Sequence, residues 1–173
     1  MTAERRCDLS AREESARTRL LALLRRHEAR HRLIPHPPEG RTGLVSALRG
    51  HPLEQAAKCI VVRVKITRNS SRYVLAVVPG DRRVALDGIR ELWAGRRAAF
   101  ADRVTAERLT GCVSGSIVPF TFDPDLELVV DPALLEHEEI FFNAADLALS
   151  VALDVRDYVR IARPRAESIS EVA

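Results

Sequence analysis

Two runs rich in β-branched residues, separated by a short polar turn, constrain this chain more than anything else in it. Lys58-Cys59-Ile60-Val61-Val62-Arg63-Val64-Lys65-Ile66 and Arg72-Tyr73-Val74-Leu75-Ala76-Val77-Val78 flank Asn69-Ser70-Ser71. β-Branched side chains are stiff in a helix and pack well on a pleated surface, so both runs predict strands. The first alternates at its far end, and the second stops at Pro79-Gly80. The turn between them folds one strand back on the other, an antiparallel hairpin at the centre of a sheet. A length of 173 residues suits one domain, and 46% hydrophobic content is enough to cover such a hairpin. Aromatics are only 5%, so Leu, Val, Ile and Ala must fill the core.

The rest of the chain supplies strands in hairpins and helices singly. Ser10 and Glu13 have the form of a capping box after a frayed leader over residues 1–9. Ala16, Leu20, Leu21, Leu23, Leu24 and His27 then recur at helical spacing to about Ala29. The arginines of that segment (Arg17, Arg19, Arg25, Arg26, Arg30 and Arg32) face water by default, or an RNA. Arg32 to His36 predicts a short strand that breaks at Pro37-Pro38-Glu39-Gly40. Thr42 is placed to cap a short helix closed by Gly50, and Pro52 to open another over Leu53 to Ala57. Asp87 caps a helix with Ile89, Leu92 and Trp93 inward, and Thr105 caps one over Ala106 to Thr110. Further strands are expected at Ala98–Ala101, Leu126–Val130, Ile140–Asn143 and Leu147–Leu153, with a helical turn from Asp131-Pro132 to Glu136. Asp154 caps a last helix with Val155, Tyr158, Val159 and Ile161 on its inner face, and Arg165 to Ala173 read as disordered. This order fits an α/β protein of the α+β type with a mixed, mainly antiparallel sheet, not strict strand-helix alternation.

Composition and motifs exclude several classes. No apolar run approaches the roughly 18 residues that span a bilayer, and the charged start lacks the apolar centre of a signal peptide. Cys7, Cys59 and Cys112 stand far apart without a CxxC, which fits a reducing cytoplasm rather than a disulfide framework or a zinc site. The chain lacks GxGxxG, GxxxxGK[ST], HExxH and GxSxG. Cys112 is a candidate thiol nucleophile, or inert packing. The net charge of +3 is compatible with nucleic acid without demanding it. Lys58 and Lys65 are the only lysines, all other Lys+Arg positions being arginine. A lysine kept beside an apolar strand is a compact point charge that tolerates partial burial.

Leu109-Thr110-Gly111-Cys112-Val113-Ser114-Gly115-Ser116-Ile117-Val118-Pro119-Phe120 cannot continue a helix, and it is too apolar for an ordinary solvated loop. It is either a tight turn into a strand or a rigid loop that presents backbone N–H groups to a ligand.

The ordered set Ala57-Lys58-Cys59-Ile60-Val61-Val62, Tyr73 to Asp81, Leu109-Thr110-Gly111, Gly115 to Phe120, Val130-Asp131 and Phe142-Asn143-Ala144-Ala145 resembles the YbaK/EbsC family. These are free-standing relatives of the editing domain of bacterial prolyl-tRNA synthetase. The resemblance runs from about His31 to Ile161. It implies a sheet curled toward a barrel with surrounding helices, and hydrolysis of mischarged aminoacyl-tRNA. It divides the chain into a basic helical extension (1–30), a deacylase domain (31–163) and a flexible tail (164–173). The implied partners are the 3′ acceptor end of mischarged aminoacyl-tRNA and an aminoacyl-tRNA synthetase, with no DNA and no membrane, in a monomer or weak homodimer.

The resemblance gives Lys58 the place of the family's functional lysine, in contact with the tRNA 3′ end. Gly115, Ser116, Ile117 and Pro119 fall in its GxxxP loop, which places the ester carbonyl. His36, Ser46, Thr110, Gly111, Asn143 and Ser150 are the implied substrate-binding positions. The chemistry is consistent: glycine-loop amides can hold a carbonyl and its oxyanion, and a lysine can hold a phosphate or ribose. No metal, cofactor or protein nucleophile is then called for. The sequence departs from the Cys-tRNA deacylase members at Asp146-Leu147-Ala148-Leu149-Ser150, which points to another subgroup. The residues alone leave two other readings open: a binding module that keeps the pocket without catalysis, and a structural role for Lys58, the glycine loop and Asn143.

Overall fold

The structure, a computed structural model, describes residues 14–173. The frayed leader and the capping box at Ser10 and Glu13 lie outside the described residues. The first helix, α1 (Ala16–Arg26), is capped by Ser15, whose hydroxyl accepts from the Thr18 amide. The predicted hairpin is the centre of the molecule. β2 (Ala57–Lys65) and β3 (Ser71–Pro79) pair antiparallel from Ala57–Pro79 to Lys65–Ser71. They lie inside a five-stranded sheet of order β5-β2-β3-β6-β9, where β5 is Arg97–Phe100, β6 is Leu126–Val130 and β9 is Arg165–Ala166. β6 runs parallel to β3, so the sheet is mixed. β1 (His31–Pro35), β8 (Leu149–Asp154) and β7 (Glu139–Asn143) form an antiparallel sheet of order β1-β8-β7. β4 (Arg82–Val84) pairs with β10 (Ser170–Val172).

Both faces of the large sheet are covered, which explains why Val74 to Val78 form an unbroken apolar run at zero exposure. Successive side chains leave a strand on opposite faces. Val61, Leu75 and Val77 meet Ile140, Phe142, Val151 and Leu153 of the three-stranded sheet, together with Leu20 and Leu24 of α1. Val62, Val64, Val74, Ala76 and Val78 meet Ile89 and Ile169 on the other face. Ile89 belongs to α3 (Leu86–Leu92), which follows α2 (Thr42–Arg49) along the chain. α4 (Arg103–Thr110) and α5 (Val155–Ala162) complete the helices. No helix of the described residues is long and apolar enough to cross a membrane.

Several expectations are corrected. The strand pairings make three open sheets, with no closure into a barrel among the described residues. The large sheet ends on β5 and the two-residue β9, and one bridge from Ala56 to Phe141 joins it toward β7. Arg165 to Ala173 are not a disordered tail: they contain β9 and β10, and Ile169 is fully buried. The cause is Asp131, whose carboxylate accepts from the Ile169 amide at 3.0 Å and the Ser170 hydroxyl at 2.7 Å. Nor is the N-terminal helix an appendage, because Leu20 and Leu24 sit in the main core. Thr105 is not a cap; Asp102 takes that place and accepts from the Thr105 amide at 2.9 Å. Asp87 lies in the first turn of α3, not at its cap, and Val159 of α5 is 39% exposed.

Candidate active site

Two loops meet where β2 begins and β7 ends. Gly40 follows β1 and Gly115 follows α4, and their backbones touch. A Cβ on Gly115, whose φ is +89°, would lie 2.8 Å from the Gly40 Cα. Only glycine meets both the left-handed conformation and that approach. Asn143, at the end of β7, clamps the junction. Its Nδ2 donates to the carbonyls of Glu39 and Gly115, each at 2.9 Å. Glu39 orders the first loop, its carboxylate accepting from the amides of Gly40 at 3.0 Å and Arg41 at 2.8 Å. The Arg41 guanidinium on that carboxylate holds it down at about 2. The same Glu39 contacts explain why α2 begins after Arg41 with no side-chain cap, against the expectation for Thr42.

Under this junction lies a cavity of about 70 Å³ whose lining includes Gly40, Lys58, Cys59, Gly115, Ile117 and Asn143. Ala57, Val45 and Phe142 give it an apolar wall, and Arg49 and Thr42 also reach it. Lys58 also lines a larger groove of about 700 Å³ beside β5 and α3, where Ile60 and Phe100 are apolar, Arg83 is basic, and Asp87 and Glu171 are acidic. The Lys58 ammonium donates to the Arg82 carbonyl and lies 3.5 Å from that of Gly80. Burial pushes its pKa down, and the nearby Asp81 carboxylate opposes that.

A polar chain leads from Arg49 and Asn143 of the cavity lining to Ser150 and His36 behind it. Arg49 donates from Nε to Ser150 Oγ and from Nη2 to Asn143 Oδ1, both at 2.8 Å. Ser150 Oγ lies 2.9 Å from Asn143 Oδ1 and 2.6 Å from His36 Nε2. Burial brings the Arg49 guanidinium down to about 10.

Of the residues singled out from sequence, Lys58, Gly115, Ile117 and Asn143 are therefore brought together on one cavity, with His36 and Ser150 bonded to it from behind. Ser116 is fully buried and turned inward, its Oγ and N both donating to the Val113 carbonyl. Pro119 lies beyond the cavity lining. Thr110 and Gly111 close α4: the Thr110 hydroxyl donates to the Ala106 carbonyl at 2.8 Å, and Gly111 has φ +68°. Ser46 is buried on α2 without a hydrogen-bond partner and does not line the cavity. Burial pushes the thiols of Cys59 and Cys112 up, which favours packing over a thiolate nucleophile at either position. Arg49 and Gly40 were not singled out from sequence. Gly40 carried a signal in its Pro-Pro-Glu-Gly context, whereas nothing local marks Arg49 among so many arginines.

The model of the aminoacyl-tRNA editing domain family matches residues 36–161. The multifunctional Ser/Thr-tRNA deacylase ProXp-y of Escherichia coli K12 is 40% identical over 156 residues, covering 90% of this chain and 93% of that protein. The same protein of strain O157:H7 matches equally. Among solved structures, a hypothetical protein aligns with TM-score 0.79 and 22% identity, covering 88% of this chain and 99% of that one. A candidate trans-editing enzyme for prolyl-tRNA synthetase aligns with TM-score 0.74 and 17% identity, covering 91% and 98%. The chain belongs to the aminoacyl-tRNA editing domain family.

Proposed function

We propose that this chain removes a small amino acid, seryl or threonyl, from mischarged tRNA in trans. The cavity beneath the Gly40–Gly115 junction carries this reading, because it joins an apolar wall, Gly115 and Ile117 of the glycine loop, and Lys58 around a space of about 70 Å³. That volume suits an aminoacyl side chain and is too small for an adenosine. The terminal ribose and base then lie outside, on the Lys58 side, where the larger groove begins. Lys58 holds that end of the RNA as a point charge. The 40% identity to a Ser/Thr-tRNA deacylase supports the choice of amino acid.

In the reaction, water adds to the ester carbonyl carbon and the carbonyl π pair moves onto oxygen. Collapse of that oxyanion expels the ribose oxygen, which takes up the proton that the water gives up. The loop amides of Gly115 and Ile117 donate to no protein acceptor among the described residues. The Ser116 amide bonds Val113, and the Val118 amide faces the Cys112 thiol. With these two amides unpartnered, we assign Gly115 and Ile117 as the donors of the GxxxP loop for the carbonyl. Such a donor is worth about 3 kcal/mol when it meets the oxyanion. The neighbouring ribose hydroxyl of the substrate assists the water. An aminoacyl-tRNA synthetase is the natural partner for an enzyme that intercepts its errors.

The test is a deacylation panel: tRNA charged with Ser, Thr, Ala, Cys or Pro, each with the native protein and with Lys58→Ala. Hydrolysis of Ser- or Thr-tRNA, reduced at least tenfold in Lys58→Ala, is expected. Bound but unhydrolysed tRNA would establish the binding-module reading instead.

A further inference from the structure

Arg49 is the charge of this site that no carboxylate answers. Among the described residues it makes no ion pair, although it lines the cavity beside Asn143. Its Nε and Nη2 hold Ser150 and Asn143. A guanidinium carries five N–H donors, so others remain for a visitor. Lys58, the second cation on the cavity, differs: carbonyls of Arg82 and Gly80 face its ammonium, and Asp81 lies near. Withdrawing a cation from water without a counter-charge is costly, and the cost is recovered when a negative charge meets it.

The charges that the substrate brings decide which one that is. The inference rests on the deacylase reading. With the aminoacyl group in the cavity, the phosphates of the RNA remain outside it. The free α-ammonium of the substrate is repelled by Arg49, and a side-chain hydroxyl is neutral and needs no cation. The one negative charge that arises inside is the oxyanion on the ester carbonyl. The loop supplies the Gly115 and Ile117 amides to it, neither of which carries a full charge.

We propose that Arg49 is a catalytic residue that stabilises this oxyanion together with the Gly115 and Ile117 amides. The carbonyl π pair settles on oxygen against the guanidinium as the water oxygen bonds to carbon. It returns to the carbonyl as the bond to the ribose oxygen breaks. Arg49 keeps all its own protons, and the proton from water ends on the ribose oxygen. Its bonds to Ser150 and Asn143 fix the fork before substrate arrives, so no reorganisation is needed in the transition state.

Single-turnover deacylation at saturating enzyme tests this with native protein, Arg49→Gln and Arg49→Lys, on tRNA charged with Ser, Thr or Ala. Arg49→Gln is expected to lower the rate constant about 100-fold on each substrate that the native protein hydrolyses, since loss of one oxyanion donor costs about 10²–10³. The half-saturating concentration stays nearly unchanged, and Arg49→Lys recovers part of the rate. An unchanged rate, a loss confined to half-saturation, or a loss confined to Ser and Thr would overturn the role. If the native protein hydrolyses nothing, the deacylase reading falls and takes this one with it. If only Arg49→Gln matches an active native protein, Arg49 alone is misassigned.

The native protein gives a second test should Arg49→Gln fail to fold. A seryl-adenosine phosphonate, tetrahedral and anionic, is expected to bind at least tenfold tighter than the planar, neutral amide. Equal affinities would overturn the proposal.

Discussion

Asn143 uses its whole amide. Both Nδ2 protons go to carbonyls on two different loops, and Oδ1 accepts from Arg49 and lies beside Ser150. It is 4% exposed, so a truncation there leaves buried carbonyls without partners. Asn143→Ala is expected to cost about 1–3 kcal/mol in stability, by chemical denaturation, and to lower the deacylation rate more than it raises half-saturation. The rate falls because the Gly115 carbonyl is released and the loop amides lose their fixed direction. A variant with native kinetics would remove Asn143 from the account. At this scale the sequence was partly legible. Lys58 stood out as one of two lysines, and Asn143 and the GxxxP loop stood out through an ordered set of motifs. Thr110 and Gly111 were marked by the same motifs, yet they close a helix. Arg49 was illegible because its distinction is burial without a counter-charge, which depends on β7 and β8 arriving from about a hundred residues away.

Elements that looked peripheral close the core. α1 brings Leu20 and Leu24 to the face that the three-stranded sheet also covers. The C-terminal strands bring Ile169 to the opposite face, against Val74 and Val78. Leu24→Ala and Ile169→Ala are each expected to cost about 2–5 kcal/mol, read from denaturant midpoints with unchanged slopes. A cost below 1 kcal/mol at Ile169 would return the C-terminus to a loose tail. The hairpin was legible because β-branched runs and a polar turn act locally. The C-terminal strands were not, because they are short and polar at most positions. Their order comes from Asp131, whose place at the start of a helical turn was visible but whose hold on Ile169 and Ser170 was not. Similarly, Asp102 outcompeted Thr105 as a cap because its carboxylate reaches both the amide and the hydroxyl of Thr105.

The molecule as a whole is a two-faced sheet with the small cavity at one end of the hairpin. Its layers are tied across the chain by charge as well as packing. Asp157 of α5 accepts from the Arg30 amide at 2.8 Å and from the Arg160 guanidinium at 2.9 Å. Those bonds, the Arg30 amide first, hold its carboxyl well below the usual range. A depressed folded pKa contributes stability that is present above the unfolded value, about 4, and is lost as pH falls below it. The melting temperature is therefore expected to drop as pH is lowered from 5 through 3, and Asp157→Asn to flatten that drop; an unchanged slope would exclude Asp157 as a source. The three open sheets were not legible, since closure depends on the lengths of edge strands. In the proposed reaction the aminoacyl group enters the small cavity while the RNA stays on the Lys58 side. The most direct measurement is a crystal structure with a non-hydrolysable seryl-adenosine amide. The seryl group is expected under the Gly40–Gly115 junction, its carbonyl against the Gly115 and Ile117 amides, and the adenosine outside beyond Lys58. A seryl group in the larger groove, with the cavity untouched, would contradict that placement.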